Sequence, residues 1–181
     1  MDTPDEFGDD VFQPGGRLRF DRLSESAAAA MHEALRLARE TRWDSVRSPH
    51  VFMGLLAAPD ANVCNWGQRL QADLPKLLGQ FQELFHQDEV EDEAVLILNR
   101  EFLSDNVIRL LREAVTRAQD HGRSKITPMD LLISLLTAAN SIVADCFERI
   151  GVTAAKLTEL AVIAEQSNER GDNERDERVK K

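Results

Sequence analysis

Val46-Arg47-Ser48-Pro49-His50-Val51-Phe52-Met53-Gly54-Leu55-Leu56 is the stretch on which the reading of this chain turns. Ser48-Pro49 opens an almost unbroken apolar run. Ser is a good helix N-cap, and Pro at the first helical position lacks only an N–H that would find no partner there. Val51, Phe52, Leu55 and Leu56 then fall on a buried face, and Pro59-Asp60 ends the helix. The signal returns downstream as Ile126-Thr127-Pro128-Met129-Asp130-Leu131-Leu132, now with a capping box from Thr127 to Asp130.

The two runs lie 80 residues apart, and that register extends in both directions. Leu23-Ser24 falls on Leu103-Ser104, Glu33-Ala34 on Glu113-Ala114, and Lys76-Leu77 on Lys156-Leu157. About a dozen identities occur in about 55 positions without a gap, more than a composition rich in Ala and Leu produces by itself. Each half reads as four helices. In the first, Ser24 caps a helix through Ala38, the Pro49 helix follows, a third covers about 61–70, and Asp73 caps a fourth to about 85. In the second, Ser104 caps a helix through Ala118. The Pro128 helix follows, then one over about 141–150, and Thr153 caps the last, through about Glu165. The predicted fold is all-α, two four-helix repeats packed about a pseudo-twofold axis.

Around this unit, 1–19 reads as a disordered acidic arm, 86–102 as an acidic linker between repeats at about 20–85 and 103–166, and 167–181 as a disordered charged tail. Within the linker, Ala94-Val95-Leu96-Ile97-Leu98 fits a short strand or an extended plug against the core. The formal net charge of −10 argues against nucleic acid as a partner. No apolar stretch has the length of a membrane span, and the N-terminus lacks a secretory signal, so a cytoplasmic location is expected. Cys64 and Cys146 form no CxxC pair and read as small core residues.

The opening Phe20-Asp21-Arg22-Leu23-Ser24-Glu25, the run from Val46 to Leu56, its copy from Ile126, and Ile150-Gly151-Val152 before the last helix together resemble the N-domains of Clp unfoldases. The resemblance covers about 20–164 and implies a docking module for adaptors and substrate segments. No Gly-Lys pair is present, so no P-loop exists in these 181 residues and ATP hydrolysis is excluded. With no ring attached, two uses remain open: a module that adapts or regulates a Clp ATPase in trans, or an isolated binding module for unfolded or marked polypeptides. A structural or oligomerisation module, or a piece of a full-length Clp ATPase, are the alternatives.

No catalytic set, cofactor site or metal site is legible: His32, His50, His86 and His121 have no second ligand at helical spacing. The residues expected to face a protein partner are Ser24, Trp43, His50 and Ser104. Trp43, between Arg42 and Asp44 in a loop, is a candidate exposed aromatic anchor, with simple burial as the alternative. Some Clp N-domains recognise phosphoarginine through a hydroxyl at the first helix cap and a Glu ahead of the second helix's apolar run. Here the hydroxyls are Ser24 and Ser104, but the Glu positions are Pro49 and Met129. The expectation is a groove at the repeat interface that binds protein without preference for phosphoarginine.

Overall fold

The computed structural model describes residues 10–87 and 96–179, with side chains placed through Ser167. Residues 1–9 of the expected arm, 88–95 of the expected linker and the last two residues of the expected tail lie outside the described residues. The first repeat comprises a 3₁₀ turn Phe20–Arg22 and helices α1 (Glu25–Glu40), α2 (Ser48–Ala57), α3 (Ala61–Leu70) and α4 (Leu74–Leu84). The second comprises a 3₁₀ turn Arg100–Phe102, α5 (Asp105–Asp120), α6 (Pro128–Thr137), α7 (Ile142–Glu148) and α8 (Ala154–Val179). Both 3₁₀ turns, α1/α5, α2/α6 and α4/α8 begin in the register of 80 residues that the sequence predicts.

Reciprocal backbone bonds relate the halves. Leu23 pairs with Ile126, and Leu103 with Val46, both in parallel bridges. The Ser24 N–H donates to Ile126 O at 2.9 Å while the Ser104 N–H donates to Val46 O at 3.0 Å. The Ile126 N–H donates to Arg22 O at 2.7 Å, and the Val46 N–H to Phe102 O at 2.8 Å. Each bond has its partner under exchange of the repeats, which is the signature of a pseudo-twofold axis.

The core lies where α2 and α6 meet. Pro49–Leu56 and Pro128–Leu136 are buried at every position, which is why neither run shows the polar face of a surface helix. Phe52, Trp66 and Phe81 of the first repeat pack edge-on or tilted against Phe147 of the second, with centroids 5.9–6.3 Å apart. Trp66 donates its indole N–H to Leu157 O at 3.1 Å, tying α3 to α8 across the repeats.

Three local differences from the sequence reading, and the outcome of one alternative it left open, have physical causes. Residues 10–19 are not a free arm. The Arg19 N–H bonds Val11 O, the Gly16 N–H bonds Gln13 O, and Phe12 bridges Leu18, closing a hairpin-like turn. Val11, Phe12 and Leu18 are at most 1% exposed. Three apolar side chains outweigh the Gly/Pro composition around them. Gly16 turns this hairpin with φ +93°, and a Cβ there would lie 2.7 Å from Asn99 Oδ1.

The described part of the 94–98 stretch takes the extended-plug form. Leu96 and Leu98 are buried and Ile97 is exposed, an alternation of period two. The Leu18 N–H donates to Leu98 O at 3.1 Å. The cap of α2 is Arg47 rather than Ser48, because the His50 ring accepts the Arg47 N–H and starts the helix one residue earlier. Finally, α8 continues to Val179 rather than stopping near Glu165. Half of residues 168–179 are Glu or Arg, both strong helix formers.

Candidate functional site

Each of the four residues expected to face a partner has an internal partner. Ser24 Oγ accepts the Ala27 N–H at 3.1 Å and Ser104 Oγ the Val107 N–H at 3.2 Å, so both are N-caps. His50 is 1% exposed. Its Nδ1 accepts the Arg47 N–H at 3.0 Å, which places the proton on Nε2, 3.0 Å from Thr41 Oγ1; that hydroxyl in turn donates to Leu37 O at 2.7 Å. Burial, reinforced by the Arg47 charge, lowers the His50 pKa to about 4, so the ring is neutral at pH 7.

Trp43 is half-buried rather than exposed. Its indole N–H donates to Phe85 O, its ring stands edge-on to His50 with centroids 5.5 Å apart, and the Arg47 guanidinium lies 4.7 Å over it. Trp43 and His50 therefore touch each other. Ser104 reaches the same loop through its N–H bond to Val46, while Ser24 sits on the opposite ladder with Ile126. Pro49 and Met129 are buried, so neither faces a ligand.

The corresponding place in the second repeat is ionic. Asp130, in the register of His50, is wholly buried. It accepts from Arg117 at 2.7 Å, from Arg123, and from the Thr127 N–H at 2.8 Å. Arg117 also donates to Glu165 at 2.9 Å. Burial alone would raise the Asp130 pKa, but the bonds from Arg123, Thr127 and Arg117 outweigh it and hold the carboxyl below its usual range. Each member of this cluster has an internal partner.

A vacancy does exist beside α5. A groove is lined by Asn106, Arg109, Leu110 and Glu113 of α5, Leu135 of α6, the turn from Ala138 to Ile142, and Ser48 of the other repeat. Its opening accompanies two substitutions between repeats. In the first, a Cβ on Gly54 would lie 2.2 Å from Ala30 O and 2.9 Å from Ala34 N, so α1 and α2 meet backbone to backbone. In the second, Ser134 and Leu110 occupy the positions of Gly54 and Ala30. Their side chains keep α5 off α6 and leave a trough with an apolar floor. Ile142, 46% exposed, stands at its edge. The side chains of Arg109 and Glu113 have no hydrogen bond or ion pair among the described residues.

Sequence reasoning missed these residues. The available signal was the pair of exchanges in the 80-residue register: Ala29 to Arg109 on α5, and Asn62 to Ile142 at the start of α7. Among the described residues no group of three or more His, Cys, Asp or Glu is placed to hold a metal ion. No single described helix is long and apolar enough to cross a membrane.

Comparison with known proteins bears on this geometry. Residues 102–178 match the Clp repeat (R) N-terminal domain family. No curated protein matches the chain. Among solved structures, the N-terminal domain of the chaperone ClpD from Arabidopsis thaliana superposes with a TM-score of 0.63 at 21% identity, covering 83% of this chain and 99% of that one. The Hsp104 N-terminal domain from Candida albicans gives 0.63 at 14%, covering 77% and 89%. The N-domain of ClpV, solved with a VipB peptide, gives 0.58 at 18%, covering 81% and 89%. At these identities the structures establish the fold, the double Clp N-domain. The family model thus matches the second repeat, and both halves together have the fold of those N-terminal domains.

Proposed function

We propose that this chain is a non-catalytic protein-docking module that receives a segment of a partner polypeptide in the groove between α5 and the α6–α7 turn. The observation that carries this is the groove itself: an apolar floor, an exposed isoleucine, and two charged side chains with no partner among the described residues, lined from both repeats. Apolar anchors with a few convergent polar groups are the usual make-up of a peptide-binding groove. A domain of the same fold, that of ClpV, is solved with a peptide. The partner is a Clp ATPase, its adaptor or a substrate chain, met in the cytoplasm. In this reading the module acts on that machine in trans.

The test uses the whole chain and a purified Clp ATPase ring, with binding followed by light-scattering size exclusion. Ile142→Asp should weaken association at least tenfold with an unchanged melting temperature. Ile150→Asp, at a site 72% exposed and outside the groove, should leave binding intact. Equal binding by both variants would remove the groove from the reading. Calorimetry with phosphoarginine should show no selective binding over arginine and phosphate, since no carboxylate occupies position 49 or 129.

A further inference from the structure

Asp105, Arg109 and Glu113 stand one turn apart along the exposed side of α5. This spacing normally lets neighbours pair on the helix itself. The equivalent helix does so: Arg36 on α1 bonds Glu33 at 2.5 Å and Glu40 at 2.6 Å. On α5, none of the three has an ion pair or side-chain hydrogen bond among the described residues. Residue order does not explain the difference, since Arg36 and Glu40 run in the same sense as Arg109 and Glu113 and still pair. Nor does Arg112 neutralise Glu113, because it is held by Asp10 at 3.2 Å and lies over the Phe12 ring. Asp105 gains from the positive end of the helix dipole; Arg109 and Glu113 have no such compensation.

Arg109 and Glu113 also line two depressions at once, the interrepeat groove and a shallower one on the outer side of α5. They form a ridge between them. A partner lying along this ridge meets minus, plus, minus at intervals of about 6 Å, beside the apolar edge made by Ile142. An extended chain, whose same-face side chains recur at about 7 Å, drifts out of step over three charges; a helix keeps step.

Resting on the docking reading above, we propose that the occupant of this surface is an amphipathic helix. It carries a basic–acidic–basic stripe at i, i+4 and i+8 beside a leucine-type apolar face. The stripe reads the same in either direction, so the charges fix the register of docking and the apolar contact fixes its rotation. The paired stripe on α1 takes no such partner, which restricts docking to one half of a pseudo-symmetric domain.

The test uses two fluorescent helical peptides of about 20 residues with identical leucine faces, one carrying Lys–Glu–Lys and the other Glu–Lys–Glu in the stripe. At low salt the first should bind about tenfold more tightly, the sum of three modest exposed pairs. The triple variant Asp105→Lys/Arg109→Glu/Glu113→Lys should reverse the preference, and raised salt should erase it. Equal binding of both peptides that is lost in Ile142→Asp would overturn the charge register and leave the groove as a docking site. Failure of both peptides to bind would overturn the register and the groove together.

Discussion

The two repeats solve one structural problem in opposite chemistries. At the third position of the second helix, the first repeat holds a neutral His50 with Thr41 and Trp43 around it. The second holds an ionised Asp130 between Arg117 and Arg123, closed by Glu165. The correspondence is residue by residue in the 80-residue register: Leu37 with Arg117, Trp43 with Arg123, His50 with Asp130, Phe85 with Glu165. Trp43 reaches Phe85 by a hydrogen bond, and Arg123 reaches Glu165 at 3.9 Å. What the fold requires here is an acceptor for the N-cap N–H and a clasp between the second helix's loop and the chain at position 85 or 165. It does not require a charge state. That difference makes the halves unequal in what breaks them.

The largest effect should come from removing the centre of the ionic version. Asp130→Ala leaves Arg117 and Arg123 partly buried with Glu165 as their only acid among the described residues, and orphans the Thr127 N–H. Breaking a buried pair by deleting one partner costs about 3–5 kcal/mol. Denaturant unfolding at pH 7 reads it, and Asp130→Asn, which keeps an acceptor for Thr127, should cost less. A loss below about 1 kcal/mol for the alanine variant would mean the cluster is ornamental.

Acid should separate the halves next. The folded His50 pKa of about 4 lies below the ordinary 6.5, so between those values the unfolded chain binds the extra proton. His50's contribution is therefore complete above about pH 6.5 and is lost as pH falls toward 4, by about 3 kcal/mol. Asp130 has the depressed-carboxylate sign. Its contribution is complete above its ordinary value and disappears only at pH below that. In His50→Asn, the amide oxygen replaces Nδ1 as acceptor and nothing titrates, so the stability slope between pH 6.5 and 4 should flatten. Parallel slopes for the two proteins would break the comparison.

What the sequence made legible follows the same line. The register of 80 survived because caps and apolar faces recur at fixed offsets whatever the polar chemistry: Ser24 with Ser104, Leu55 with Leu135, Asp73 with Thr153. The ionic cluster was hidden because its members are up to 48 residues apart. Its one local trace is an arginine where the first repeat has core Leu37. The hairpin was hidden for a different reason. Composition averages over 1–19, while burial depends on Val11, Phe12 and Leu18 alone. The groove was invisible because no residue in it is unusual by itself. It exists through a difference in helix separation that Gly54 permits in one half and Ser134 prevents in the other.

That separation can be challenged directly. Gly54→Ala puts a methyl against the α1 backbone and must force α1 and α2 apart, at a cost of about 1–3 kcal/mol. Ser134→Gly, a loss of helix propensity at a nearly buried site, should cost about 1 kcal/mol. Thermal melts of the two single variants rank them, and an Ala at position 54 without effect would show that close approach is not what distinguishes the repeats.

The smallest effect carries the most information about binding. Arg36 is tied to Glu33 and Glu40 on an exposed helix face, with about half of its side chain in solvent. Pairs of this kind contribute roughly 0.3–0.5 kcal/mol each and are screened by salt. Arg36→Ala should therefore lower stability by less than about 1 kcal/mol at low ionic strength, and by nearly nothing in high salt. Arg109→Ala removes a guanidinium that pairs with nothing in the described fold, so its stability change should sit at zero in both conditions. A salt-dependent loss for Arg109→Ala would mean that it pairs within the free protein, and the charged ridge on α5 would then have no bond left for a partner. A salt-dependent loss confined to Arg36→Ala would leave the α1 stripe closed on itself and the α5 stripe open.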